Sequence, residues 1–273
     1  MKKQILSVVF ILPLYALAQQ QPVPVESPSI LESGYARLEF GAAHFLQQSF
    51  PLSGLKGNLS KLGTICFKIS LNKYVELQTD GTLLDVLSIK ERKPAFNSAI
   101  TTTNNPTADI GDFSLWTKFA LFNEYSSGVA LSVRFGVQLP NASNESGLGI
   151  DEMNFYSALL LQKHFLGKWT LNVGLGILGD PTQLSSQHDV CIYGVEYFLP
   201  VGETTYLMLQ TAGRTGHDGI GVDRLANSRM GIEKSWGKIS FKTFGIINFS
   251  PADNAKGVEV TVSYSFQVLD TTK

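Results

Sequence analysis

Segments of about ten residues, each with apolar side chains on every second position, recur along this chain. Val129, Leu131, Val133, Phe135, Val137 and Leu139 alternate with Ala130, Ser132, Arg134, Gly136 and Gln138. Trp169, Leu171, Val173, Leu175 and Ile177 do the same against Thr170, Asn172, Gly174 and Gly176, and Val258–Phe266 repeats the pattern near the end. Successive side chains of a strand point to opposite faces, so each segment has one oily face and one polar or small face. A chain of such ribbons must bury or solvate a continuous apolar surface, which leaves a sandwich or a barrel.

Twelve such strands are expected: Tyr35–Phe45, Leu62–Ser70, Tyr74–Ile89, Phe113–Leu121, Val129–Leu139 and Asn154–Phe165, then Trp169–Ile177, Val190–Phe198, Thr205–Ala212, Ser228–Lys234, Ile239–Ile247 and Val258–Phe266. Their connections sort into two kinds. Tight ones fall at 71–73, 123–127, 166–168, 200–203 and 235–237; long ones fall at 47–61, 90–112, 140–153, 179–189, 213–227 and 248–257. The two kinds alternate without a break. Short periplasmic turns and long outer loops are what a barrel in a bacterial outer membrane has, and a soluble sandwich has no reason to sort its connections this way.

The rest of the chain agrees. Lys2 and Lys3, the apolar stretch Ile5–Leu14 and Ala16-Leu17-Ala18 read as a signal peptide over 1–18. Residues 19–34 are then a polar, proline-bearing periplasmic leader, 35–266 the barrel and 267–273 a short tail. No other apolar run reaches the roughly 18 residues of a membrane helix, so the mature chain would cross with strands. Charged residues are 16% of the chain, below the roughly 25% of soluble domains. The net charge of -1 and the absence of a basic run give a nucleic-acid partner no support. The expected partners are outer-membrane lipid, a small-molecule solute and, during insertion, the barrel-assembly machinery; the chain is expected to be a monomer.

By parity the polar faces carry Arg37, Glu39, Lys68, Glu76, Lys118, Arg134, Glu196, Arg229, Glu233, Lys242 and Glu259. Placed inside a barrel they are candidate lumen-lining groups, either selectivity charges or a salt-bridged plug. Lys118 and Arg134 lie on adjacent strands and could pair with Glu76 or Glu233. Cys66 falls on the polar face of its strand and Cys191 on the apolar face, so two free thiols are expected. Trp169, Trp236, Phe165, Tyr197, Phe198, Tyr206, Tyr264 and Phe266 lie near periplasmic strand ends, where aromatic rings sit at headgroup depth.

Catalytic and cofactor signals are sparse. The histidines His44, His164, His188 and His217 show no metal-ligand spacing, and no Gly-x-Ser-x-Gly elbow is present, so no metal, cofactor or catalytic residue is assigned. Ser185, Ser186 and His188-Asp189 are the one grouping that a membrane-embedded lipid hydrolase could use. Gly213–Asp223 (GRTGHDGIGVD) lacks the following helix of a phosphate loop and the acidic spacing of a calcium loop, and reads as an outer loop.

The stretch Asp109–Lys118 (DIGDFSLWTK), then Gly136-Val137-Gln138-Leu139-Pro140, and Ser250-Pro251-Ala252-Asp253 followed by Gly257–Phe266, resemble motifs of the outer-membrane proteins of the phenol-degradation meta-pathway family. Asn141 stands where that family has a glycine, and seven residues follow Phe266. The resemblance implies an outer-membrane transporter or channel for small hydrophobic or aromatic solutes, working by passive passage. A closed-lumen structural or surface-binding barrel is the alternative.

Overall fold

The computed structural model describes residues 21–96, 100, 102–183, 185–217, 219–222, 224–250 and 253–269. The signal peptide and the last residues of the tail lie outside them. Among the described residues the strands are β1 (Tyr35–Phe50), β2 (Leu55–Asn72), β3 (Val75–Arg92), β4 (Thr107–Asp109), β5 (Phe113–Phe122), β6 (Ala130–Leu139) and β7 (Asn154–His164). They continue with β8 (Lys168–Gly179), β9 (Gln187–Pro200), β10 (Thr205–Gly216), β11 (Leu225–Trp236), β12 (Ile239–Asn248) and β13 (Lys256–Gln267). Each long strand pairs antiparallel with its chain neighbours, and β1 pairs with β13 from Tyr35↔Gln267 to Leu46↔Lys256. That last ladder closes a twelve-strand up-and-down barrel, with β4 an accessory strand on β3. Closure leaves no unpaired edge, which is what lets strands sit in hydrocarbon.

The oily faces point outward. Phe40, Leu115, Phe135, Phe155, Leu159, Leu175, Met230 and Val258 are all large, apolar and about half exposed or more, from 49% at Leu115 to 63% at Leu175. A water-soluble protein does not carry so extensive a belt of exposed apolar side chains. Hydrocarbon solvates it, and the chain belongs in an outer membrane. No helix among the described residues is long and apolar enough to cross a membrane, which says nothing against crossing by strands.

The expected strands are all present, and several run longer. β1 and β2 rise past the expected ends into a hairpin closed by residues 51–54, so the expected long loop at 47–61 is mostly strand. Phe45, Leu59, Leu87 and Ile246 fill an apolar inner cluster toward this outer end. The expected periplasmic turn at 123–127 holds one helical turn, α1 (Glu124–Ser127), capped by the Asn123 side chain and ended by Gly128 in the left-handed region. Its Glu124 accepts hydrogen bonds from the His164 backbone N–H (2.7 Å) and side chain (2.6 Å), tying two periplasmic connections together.

One bulge changes the inner wall. The β1–β2 register shifts between Gly41 and Ala42, opposite Gly63, whose φ of 67° suits glycine. Past it the inward parity of β2 switches from even to odd residues, and on β3 Leu83 and Leu84 are both exposed in succession. Lys61 and Asp85 therefore meet inside the barrel at 2.6 Å instead of facing lipid. Plain parity could not have placed them.

The two cysteines are free thiols, Cys66 on the lumen wall and Cys191 on the other face of its strand, as their parity predicts. The aromatic rim needs a correction. Trp169 and Tyr197 pack together outside at 4.5 Å, and Tyr264 packs with Phe266. Phe198, by contrast, lines the interior and stacks on Tyr206 at 4.6 Å. These two rings share the parity of Glu196, so they cannot anchor the barrel in headgroups.

At the outer rim, Asp112 accepts from the backbone N–H groups of Asn141 (3.1 Å) and Ala142 (3.0 Å). Burial outweighs those bonds and raises its pKa from 3.8 to about 6. The native state then holds this proton more tightly than the unfolded chain, so its contribution favours folding at low pH and is lost as pH rises from about 4 to about 6. In urea titrations of the detergent-solubilised barrel, Asp112→Asn should flatten this part of the midpoint-versus-pH curve. An unchanged pH dependence would remove Asp112 as its source.

Candidate functional site

The structure places all eleven sequence-derived lumen candidates on the wall of one interior cavity of about 730 Å³. The wall is laced by ion pairs: Lys118 with Glu76 (2.8 Å), Lys242 with Glu39 (3.4 Å) and Arg229 with Glu259 (3.3 Å). Arg37 donates to Ser265 (3.0 Å), and Gln210 donates to Glu196 in a short bond. Glu233 is not a partner of Lys118 or Arg134. It lies on β11, in register with Lys242 and Tyr206, across the barrel from β5 and β6. The expected pairing with Glu76 is present; the one with Glu233 is not, because inward parity says nothing about position around the circumference.

The cavity has a further wall that strand parity could not supply. The leader, expected to extend into the periplasm, runs back through the lumen, and residues from Gln21 to Leu31 line the chamber. Gln21 sits at the outer end, its side chain bonded to Gln48 (3.1 Å) and within reach of Asn248 (3.5 Å). Val23 packs on the apolar cluster of Trp116, Tyr156, Leu178, Val190 and Ile192. Leu31 donates its N–H to Glu76 (2.9 Å) near the periplasmic end. The leader thus spans the barrel from mouth to base.

Its polar groups are matched one by one. The Asn172 side chain makes a reciprocal pair with Glu26, accepting from its N–H (2.7 Å) and donating to its C=O (2.9 Å). Ser27 donates to Gln162 (2.8 Å), and Ser132 donates to the Pro28 carbonyl (2.6 Å). Pro22, Pro24 and Pro28 have no N–H to satisfy and favour an extended backbone, which suits a segment with no strand partner. Gly194 gives the leader room, since a Cβ there would lie 2.8 Å from the Val25 side chain.

The Glu26 carboxylate is the centre of the arrangement. Lys68 donates to both of its oxygens (2.9 and 2.8 Å), and Lys118 donates to one of them (3.1 Å). Lys118 also holds the carbonyls of Ser27 (3.0 Å) and Ser29 (2.8 Å). Arg134 lies over the Trp116 ring at 3.7 Å, and Trp116 stacks on Tyr156 at 5.8 Å. Sequence reasoning named Lys68, Lys118 and Arg134 but missed Glu26, Asn172, Gln162 and Trp116. The available signal was a single acid in a proline-rich leader otherwise uncharged up to Glu32.

The hydrolase grouping is held differently. His188 Nε2 is bonded to Asp180 (2.8 Å), and its ring stacks on His217 at 3.6 Å. Among the described residues no hydrogen bond joins the Ser185 or Ser186 hydroxyl to His188. Burial favours the neutral acid at Asp180, but bonds from Thr182 and His188 outweigh it and hold the pKa below the usual carboxylate range. The result is a braced outer loop. Asp218 and Asp223 of the GRTGHDGIGVD loop lie outside the described residues; no group of three metal-ligating side chains occurs among those described.

With the belt, the closed ladder and the lumen in place, the architecture is decided. This is an outer-membrane β-barrel. No family model and no curated protein matches its sequence. Among solved structures, it is similar to the translocator domain of the autotransporter NalP from Neisseria meningitidis, with 11% identity over 86% of this chain and 90% of that one and a TM-score of 0.51. The KdgM porin aligns at 10% identity over 84% and 99% with a TM-score of 0.47, and LpxR from Salmonella typhimurium at 8% over 83% and 99% with a TM-score of 0.43. Likeness at such low identity speaks for the fold alone.

Proposed function

We propose that this barrel is a passive outer-membrane channel for small solutes, with the leader setting how much of the lumen is open. The observation that carries the reading is the chamber of about 730 Å³ between the leader and the charged wall. That is the size of a small-molecule site, about 300–1,000 Å³, and far from a wide aqueous pore. A barrel whose only task was mechanical could fill its interior with apolar side chains, as smaller barrels do. Here the wall keeps ionised groups paired beside open space, an arrangement that can pass or hold a polar solute. The resemblance to the meta-pathway family adds aromatic solutes as the proposed class.

The function proposed is transport without covalent chemistry, carried out by a monomer. The test is reconstitution of the full chain into planar bilayers and liposomes. Small discrete conductance steps and entry of a neutral aromatic such as benzyl alcohol faster than into protein-free vesicles are expected. Complete silence in both assays, with the barrel shown to be folded, would overturn the channel reading. It would favour a closed surface-binding barrel, for which the many bonds between leader and wall already speak.

A further inference from the structure

We propose that Lys68, Lys118 and Arg134 form a carboxylate-binding site in the lumen, filled at rest by the chain's own Glu26, and that a solute carboxylate is admitted by displacing it. Lys118 and Arg134 are directly opposed on β5 and β6. Two like charges in that position repel, and the pair is tolerable only with an anion against it. Glu76, opposite Lys118 on β3, supplies one such anion, at 2.8 Å. Glu26 supplies the other, and it comes from a segment that belongs to no strand.

The site is built and not fully used. Arg134 is 4% exposed and faces the chamber, yet its Nε has no hydrogen-bond partner. It attracts Glu26 through space without a direct bond, and it also acts on Asp80. A guanidinium favours planar, two-point recognition of a carboxylate, which Glu26 does not give it. A free carboxylate is not tethered to the leader backbone and can take the position that satisfies Lys68, Lys118 and Arg134 together. The Trp116 ring beneath Arg134 holds the guanidinium in place on the wall. Glu26 thus serves as an internal stand-in for the ligand, and its displacement releases the leader from Lys68 while Lys118 keeps its hold on the carbonyls of Ser27 and Ser29.

This inference rests on the channel reading for its route of entry, and it names the solute class. The probes are benzoate and benzamide, of nearly the same shape and differing in charge, titrated calorimetrically into the full-length barrel in detergent. Removing the competing occupant should reveal the intrinsic affinity. Glu26→Ala is therefore expected to tighten benzoate by about tenfold or more while leaving benzamide unchanged. Adding Lys118→Met or, if that chain fails to fold, Lys68→Met should abolish the gain. Equal benzoate affinity in native and Glu26→Ala protein would overturn the proposal, as would an equal gain for benzamide. Liposome permeation of both probes separates the two readings: passage with no carboxylate preference in binding sinks this inference alone. Charge-selective binding with no passage supports the site and sinks the channel.

Discussion

Deleting residues 21–29 is expected to raise single-channel conductance severalfold, the largest functional change that any alteration of this chain should produce. The segment runs from the rim at Gln48 down to Lys118, which holds the Ser29 carbonyl, and its removal merges its own volume with the adjoining chamber. The barrel itself should survive, because its ladders close without the leader through the β1–β13 pairing. Stability should nonetheless fall. Lys68 loses its ion pair with Glu26, and of the two carboxylates on Lys118 only Glu76 is left. Stripping one partner from a dry buried pair costs roughly 3–5 kcal/mol, and water entering the emptied lumen should reduce that figure. Conductance traces and heat-modifiable migration on gels would read both effects. A deleted form that folds and conducts no better than the native chain would show that the constriction lies in the strand wall.

Leu159→Arg should be the most damaging single substitution on the outer face. Leu159 is 51% exposed, sits at the middle of β7 and faces Val173 of β8 across an oily strip. An arginine at the bilayer midplane of a barrel costs roughly 2–4 kcal/mol, falling toward zero near the interfaces. The same change at Phe165, in the periplasmic turn, should cost far less, because its side chain already meets the headgroup region. Urea midpoints in lipid vesicles would measure the difference. Equal costs at the two positions would mean that lipid does not solvate the strip, and the membrane assignment would fall with it.

The fold was legible because its information is local. Val129–Leu139 and Trp169–Ile177 state their two faces residue by residue, and the tight turn at Leu166–Lys168 states its own geometry. The eleven charged wall positions follow from the same parity. Parity failed where the backbone interrupts it, at the Gly63 bulge, which brings Lys61 and Asp85 inside. Phe198 and Tyr206 keep the inward parity of Glu196, and there it was the assignment to an outer aromatic rim that failed. Parity also could not say who meets whom around the circumference, which is why Glu233 was a plausible partner for Arg134 on paper.

By itself, then, the amino-acid order determined a barrel, its approximate strand number, the side that meets lipid and the charges that face the interior. The two faces of each strand follow from the two-residue period of the extended backbone, and the signal peptide with the alternation of long and short connections decides which face meets lipid; none of this needs knowledge of distant contacts. Only the tertiary structure decided that the leader fills the lumen and that Glu26 sits among Lys68, Lys118 and Arg134. The bonds that hold it join residues 42 to 146 positions apart. Closure of the ladder creates the polar interior in which a proline-rich segment without a strand partner can satisfy its carbonyls and its one acid. No local pattern encodes that enclosure.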